Sequence, residues 1–247
     1  MKKCHTAKQY AVALFLLLTG TYVSAQTFDV TAQIRLLPLT PETTTHAPDG
    51  MHNSPRRSVV WLTPIDKSAR DHRPPRAQEI YTLVQKNKQF SPHLLIVPVG
   101  SMVMFPNQDP FFHNVFSMFN GRRFDLGLYE TGSTRGVRFS REGISYIFCN
   151  IHPEMSAVVL TLSTPFFSIA GTHNAAVISD VPAGQYRLHV WSEGAELELL
   201  DALTRVVRIA ANNTNLGTID IPQQTDLNAR HKNKFGKDYD TTPAPLY

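Results

Sequence analysis

The sequence predicts an all-β protein built from two β-sandwiches, and three observations carry that prediction. Short apolar runs separated by turn residues crowd the stretch from Ile80 to Leu162, the pattern of a sandwich or barrel. Five further strand-like runs follow Thr164, and two precede residue 66. No amphipathic helix of useful length interrupts the central stretch.

The first 25 residues read as an address. Lys2, Lys3 and Lys8 give a positive start, Tyr10 to Leu18 is apolar, and Val23-Ser24-Ala25 is a small-residue cleavage signal, so residues 1–25 are expected to be a signal peptide and the mature chain to be exported to the periplasm. The apolar core is short for a membrane span, and no later stretch is long and apolar enough to cross a bilayer. The mature protein is therefore expected to lack a transmembrane segment.

Residues 28–37 read as a strand with Val30, Ala32 and Ile34 on one face. Four prolines, a run of threonines and Asp49-Gly50 mark 38–57 as a long loop. Ser58-Val59-Val60-Trp61-Leu62-Thr63 is a second strand, and Arg70, Arg73 and Arg76 around Pro74-Pro75 make 66–78 a solvated linker. Strands are then expected at 80–85, 93–99, 101–105, 113–118, 135–139, 144–149 and 156–162, with Pro98 and Pro106 ending theirs or lying at an edge. The later strands are expected at 166–169, 176–178, 185–191, 204–209 and 216–221, while 195–203 reads equally as a helical turn or a loop. The polar, basic segment 223–247 buries little and is expected to be a disordered tail.

Composition closes off several function classes. The 247 residues carry 24 Lys and Arg against 20 Asp and Glu. Loss of the signal peptide removes three of the lysines and no acid, leaving 21 against 20. The basic balance is thus largely a leader effect and gives no reason to expect a nucleic-acid partner. Cleavage also removes Cys4, so Cys149 is the one cysteine of the exported chain. It cannot form an internal disulfide and must be an intermolecular bridge, a reactive thiol or a ligand. There is no phosphate-binding glycine loop, no His-Glu-x-x-His and no G-x-S-x-G elbow, and no His-x-His pair for a trinuclear copper cluster. His46, His52, His72 and His231 fall in polar loops, and His93, His173 and His189 read as structural residues.

The chemistry concentrates in Phe148-Cys149-Asn150-Ile151-His152-Pro153-Glu154-Met155, directly after an alternating β-like run. A soft thiolate, an imidazole and a thioether within seven residues suit copper better than zinc or iron. A Cys-x-x-His alone is weak, but His113, in Phe111-Phe112-His113-Asn114-Val115-Phe116, completes a His₂Cys set with a long axial Met. Zinc would want a second Cys/His pair, and a catalytic thiolate would want a helix N-terminus or an adjacent base. On 144–149, Ile147 and Cys149 share one face and Tyr146 and Phe148 the other, so Cys149 can point into a dry interior. A thiolate there is unfavourable without a metal. Pro153 stiffens the loop between His152 and Met155.

Residues 80–163, with Val99-Gly100-Ser101-Met102-Val103-Met104-Phe105-Pro106-Asn107-Gln108-Asp109 leading into His113 and Cys149-x-x-His152-Pro153-x-Met155 after it, resemble the small cupredoxins, and the ligand spacing looks most like amicyanin. The resemblance implies an eight-stranded Greek-key sandwich holding one type-1 copper per chain, with His113, Cys149 and His152 as equatorial ligands and Met155 axial. It implies that Asn114 ties the two ligand loops by side-chain hydrogen bonding, with Asn150 beside Cys149 also supporting the ligands. Pro110, Phe111, Phe112 and Pro153 would form an apolar rim round His152 for a redox partner; for the Phe pair, plain core packing is an equal reading.

Asp180-Val181-Pro182-Ala183-Gly184-Gln185-Tyr186-Arg187-Leu188-His189-Val190-Trp191 resembles the carboxypeptidase regulatory-like, or transthyretin-like, sandwich. Such domains begin with two strands like 28–37 and 58–64. Segments 26–66 and 164–222 are therefore read as one sandwich interrupted by the cupredoxin; the alternative is that the early strands extend the cupredoxin. The composite resembles bacterial periplasmic proteins labelled methylamine-utilisation or plastocyanin-like. The expectation is a non-enzymatic periplasmic electron carrier with a redox partner protein. The alternative is an envelope module in which copper is structural or held for delivery. Met102, Met104 and Met118 are not clustered as copper delivery would want.

Overall fold

The computed structural model describes residues 26–38, 57–70, 80–118, 121–223 and 232–239. The expected signal peptide, the loop at 39–56, the arginine-rich part of the linker at 71–79 and four loop histidines, His46, His52, His72 and His231, lie outside these residues. So do 224–231 and 240–247 of the expected disordered tail.

Two strands open the chain, β1 (Thr27–Pro38) and β2 (Ser58–Pro64), followed by a single helical turn, α1 (Lys67–Arg70). Ten strands follow: β3 (Ile80–Thr82), β4 (Val84–Lys86), β5 (Gln89–Ser91), β6 (Leu94–Pro98), β7 (Ser101–Pro106), β8 (His113–Ser117), β9 (Phe124–Tyr129), β10 (Thr134–Phe139), β11 (Gly143–Phe148) and β12 (Ser156–Leu162). The chain continues through β13 (Phe167–Ile169), β14 (Ala175–Pro182), β15 (Gly184–Ser192), a short helix α2 (Leu197–Ala202), β16 (Arg205–Ile209) and β17 (Asn215–Gln223). The protein is all-β, as its alternation predicts. Pro98 and Pro106 each close a strand, as a residue without a backbone donor should. The ambiguous 195–203 segment resolves as α2.

The sheets divide by sequence. β14-β1-β17 and β13-β2-β15-β16 use only strands before residue 65 and after 166, whereas β10-β7-β3 and β6-β12-β11-β8-β9 use only strands between 80 and 162. The outer segments meet through a parallel pairing of β1 with β17, Ile34 facing Ile219, and an antiparallel pairing of β2 with β15, Leu62 facing Leu188. These four sheets stack, and two cores fill the gaps. The first core runs from Val30, Ile34 and Ile219 through Val60, Leu62 and Trp191 to Leu94, Val158 and Leu160. The second lies between the two central sheets, with Val103, Phe105, Phe139, Ile147, Ala157 and Val159 around Cys149 and Met155.

Strand β12 shows why the stack holds. All seven of its residues are buried. Ala157 and Val159 enter the second core while Val158, Leu160 and Leu162 enter the first, because successive side chains point to opposite faces. A strand covered on both sides reads as a continuous apolar run. Polar contacts join the halves at the same seam. Trp191 Nε1 donates to the Tyr146 hydroxyl at 3.3 Å, and His93 Nε2 lies 2.6 Å from Glu193 Oε1. His189, expected to be structural, stacks on Trp61 with ring centroids 5.1 Å apart.

Two strands are absent from the expected set. β5 forms a hairpin with β4 across Asn87 and Lys88, both at positive φ, the backbone of a two-residue primed turn. β9 is hidden by Gly127, which sits at φ 67° beside a register shift between Asn114 and Phe116. A glycine in a bulged strand weakens the alternation on which sequence reading depends.

Candidate metal centre

Two neighbouring antiparallel strands deliver the site. β8 begins at His113, and β11 ends one residue before Cys149; the two are paired through Phe116 and Phe148. All five residues of β8 are buried, so His113 is anchored before its ring is positioned. After Cys149 the chain turns back on itself. Met155 N–H donates to His152 C=O at 3.0 Å, and Cys149 N–H donates to Met155 C=O at 3.2 Å. This closure brings both ends of the Cys149–Met155 loop against the second core. Cys149, Met155 and His113 are all 0% exposed, and His152 is half-buried.

Three donor atoms converge. His113 Nδ1 and His152 Nδ1 are 3.1 Å apart, and Cys149 Sγ lies 3.7 Å from the first and 3.5 Å from the second. Metal–nitrogen and metal–sulfur bonds of about 2.0–2.3 Å, meeting at about 100–120°, span about the same separations. The trio could therefore hold one metal ion with little movement. Met155 adds a buried thioether in the same core cluster as Cys149. A thiol, two imidazoles and a thioether form a donor set of the kind that selects copper.

The tautomer of His113 follows from its far side. Its Nε2 lies 2.8 Å from Asp109 Oδ2. Burial alone would raise the Asp109 carboxyl, but donation from the Lys88 and Asn87 main-chain N–H groups and from His113 holds it below the usual carboxylate range. An ionised carboxylate only accepts, so His113 carries its proton on Nε2 and presents the Nδ1 lone pair to the centre. Such a partner also fixes the ring's orientation. Burial pushes the His113 ring below its ordinary value, overriding the pull of Asp109. His152 is lowered by burial and then by the neighbouring His113 charge. Both shifts favour the neutral form that binds metals. Burial pushes the Cys149 thiol up, against main-chain N–H donation from Ile151, Asn114 and His152; those same donors suit a sulfur whose charge a metal would compensate.

The expected supporting residues fall out unevenly. Asn114 does not tie the loops through its side chain: its amide Nδ2 donates to Asp125 Oδ1 at 2.7 Å, and its Oδ1 has no hydrogen-bond partner among the described residues. Asn114 touches the sulfur through its main-chain N–H instead. Asn150 Oδ1 accepts from Lys234 N–H at 2.9 Å. Phe111 sits against both imidazoles, with centroids 5.2 Å from His113 and 5.5 Å from His152, and carries Lys88 Nζ over its ring at 5.7 Å. Phe112 is 54% exposed, which argues against plain core packing for it. Pro110 and Pro153 are also exposed.

Sequence reading gave no role to Asn107, Asp109, Asp125, Lys234 or Tyr239. Asn107 Nδ2 donates to Phe111 C=O at 2.8 Å and its Oδ1 accepts from Asp109 N–H at 3.0 Å, which fixes the turn before His113. Asp109 had one weak signal, its placement four residues before a candidate ligand. Lys234 and Tyr239 had none. They belong to the segment expected to be disordered, yet residues 232–239 lie against the site, where Tyr239 OH donates to Cys149 C=O at 2.9 Å.

No protein-family model matches the chain, and no curated protein matches it. Among solved structures, it is similar to the copper-containing nitrite reductase (NirK) of Thermus scotoductus SA-01, with a TM-score of 0.33 and 23% identity over 35% of this chain and 23% of that one. It is similar to a purple cupredoxin from Nitrosopumilus maritimus, with a TM-score of 0.31 and 24% identity over 33% of this chain and 99% of that one. It is also similar to an amicyanin variant in its Cu(I) form, with a TM-score of 0.30 and 17% identity over 34% of this chain and 82% of that one. The chain thus spans less than a quarter of the nitrite reductase it matches.

Proposed function

We propose that this protein is a periplasmic type-1 copper protein that carries single electrons between redox partners. One observation carries the reading: the Nδ1 atoms of two histidines and one buried thiol converge at 3.1, 3.5 and 3.7 Å. His113, Cys149 and His152 would hold the copper, with the buried Met155 thioether as a fourth donor. Copper bound there would supply a one-electron Cu(II)/Cu(I) couple.

The chain's own residues do the rest. Asp109 orients His113, the closed Cys149–Met155 loop limits movement between oxidation states, and the surrounding apolar core excludes water. Low ligand movement favours electron transfer, because little reorganisation then accompanies it. His152 is the one half-exposed ligand, so the electron path to a partner runs through its edge, beside Phe111; Phe112 and Ile151, their neighbours in sequence, are exposed. A full donor set leaves no open position for a substrate, which favours a carrier over an enzyme. We assign 80–163 to a cupredoxin domain and 26–66 with 164–222 to a transthyretin-like sandwich, on the division of the sheets and the sequence resemblance.

The test is to load the protein with Cu(II) and record visible and EPR spectra beside Cys149→Ser. The expected result is an intense thiolate-to-copper charge-transfer band with narrow copper hyperfine splitting, abolished by the substitution. Colourless binding, or a band indifferent to Cys149→Ser, would overturn the carrier reading and favour an envelope module that holds copper structurally or for delivery.

A further inference from the structure

Residues 232–239 cross the site from outside both central sheets, and three of their contacts converge on it. Lys234 N–H donates to Asn150 Oδ1 at 2.9 Å. Lys234 Nζ donates to Asp125 Oδ2 at 2.8 Å, and Asp125 Oδ1 in turn accepts from Asn114, next to His113. Tyr239 OH donates to the main-chain carbonyl of Cys149 at 2.9 Å. One lysine thus joins the His113 side of the site to the Cys149 side. The Asn114 side chain, directed at Asp125, makes no such bridge by itself.

The segment is shaped for this task rather than draped. Asn233 organises it: Oδ1 accepts from Phe235 N–H at 3.0 Å and Lys237 N–H at 3.1 Å, and Asn233 N–H donates to Lys237 C=O at 2.9 Å. Gly236, at φ 73°, supplies the left-handed turn. The Lys234–Asp125 pair is mostly buried, with side chains 22% and 30% exposed. Burial would raise Asp125, but Lys234 and Asn114 together hold it low. Hydrogen bonds between charged, desolvated partners are among the stronger ones.

We propose that 232–239 is a strap that fixes the Cys149 loop relative to His113, with Lys234 and Tyr239 as positioning residues for the centre. The strap withholds the thiol from solvent in the metal-free protein and restrains the thiolate when metal is bound. The first role stands on the geometry alone; the second rests on the copper reading above.

The experiment uses the full chain with Lys234→Met, Tyr239→Phe, the double variant, and Lys234→Arg as the charge-retaining control. The first readout is the rate at which iodoacetamide alkylates Cys149 in metal-free protein, followed on the Cys149 peptide by mass spectrometry. The double variant should react about tenfold or more faster, the change expected when two such hydrogen bonds no longer oppose local opening. Each single variant should fall between, and Lys234→Arg should stay near the parent. Unchanged thermal unfolding midpoints would assign the effect to the loop rather than the fold. The second readout is the charge-transfer band and reduction potential of copper-loaded protein, both expected to shift in the double variant and to return with Lys234→Arg. Equal alkylation rates in all variants would overturn the strap. Parent protein with no charge-transfer band, but with strap-dependent alkylation, would keep the strap and overturn the copper reading.

Discussion

The two cores of this molecule are filled by opposite rules. The core under β1, β2, β15 and β17 is aliphatic and aromatic, and the buried polar side chains of those flanking segments are hydroxyls: Ser58 paired with Ser192, and Thr164 donating to Leu62 C=O. The core under β7, β8, β10 and β11 lies beside every buried amide, carboxylate and imidazole among the described residues, namely Gln85, Asn107, Asp109, His113 and Asn114. Hydroxyls can satisfy themselves locally on a nearby carbonyl. Amides and carboxylates need several partners at fixed directions. Their confinement to one end of one core marks where the fold trades ease of packing for precise placement. The lesson is that the first core holds the stack together, and the second uses that rigidity to hold donor atoms in place.

If so, damage to each core should be read by a different instrument, and the largest effect comes from the first. Ile34 is 2% exposed and two sheets away from the metal centre, facing Ile219. Ile34→Ala should cost about 2–5 kcal/mol through lost burial and a residual cavity, seen as a lower urea midpoint. The donor set should be untouched, so the copper spectrum of the folded fraction should be that of the parent. A changed spectrum in folded Ile34→Ala protein would mean the two cores are mechanically one.

Asp109→Asn reverses the pattern. It leaves the volume nearly unchanged but removes the charge that three N–H donors share. Stability should fall by about 1–3 kcal/mol, and metal affinity by about 10–100-fold, the usual cost of losing a ligand's orienting partner. Competition with a Cu(I) chelator would measure it. An affinity equal to the parent's, with stability lowered, would make Asp109 a packing residue and erase the distinction between the cores.

Much of this was legible in the sequence because it is written at short range. Cys149, His152 and Met155 lie within seven residues, and the loop that gathers them closes through its own main chain. His113 was legible by type. The strands of the aliphatic core announce themselves by alternation, and β12 by the apolar run from Ala157 to Leu160, which reports cover on both faces. What stayed hidden depends on distance along the chain. Asp109 is an ordinary loop acid until the hairpin turn at Asn87 and Lys88 aims two N–H groups at it. Lys234 and Tyr239 sit in a polar, basic stretch whose composition argues for solvation, and only the fold reveals Asp125, Asn150 and the Cys149 carbonyl as their partners. Asn114 misled for a related reason: the bulge beside it and Gly127 bring Asp125 within its reach, so its side chain bonds there.

The smallest expected effect tests the seam between the two regions. His93, from the strand hairpin region of the central sheets, meets Glu193, just beyond β15, at 2.6 Å with side chains 28% and 20% exposed. Burial would raise the Glu193 carboxyl, but the hydrogen bond and charge of His93, with help from the Arg57 main chain, hold it below its ordinary value. A carboxyl lowered on folding stabilises the protein at pH above its unfolded value, about 4.3, and that contribution is lost as pH falls through the folded value. Glu193→Gln should therefore cost up to about 1 kcal/mol at neutral pH, and the gap from the parent should close as acid protonates Glu193 in the parent. Urea midpoints of both proteins between neutral pH and pH about 3 would measure it. A gap that stays constant with pH would show that the carboxylate's charge contributes nothing across the seam. Among the described residues, the join between the cores would then rest on the apolar contacts of β12 and Leu94 and on Trp191 with Tyr146.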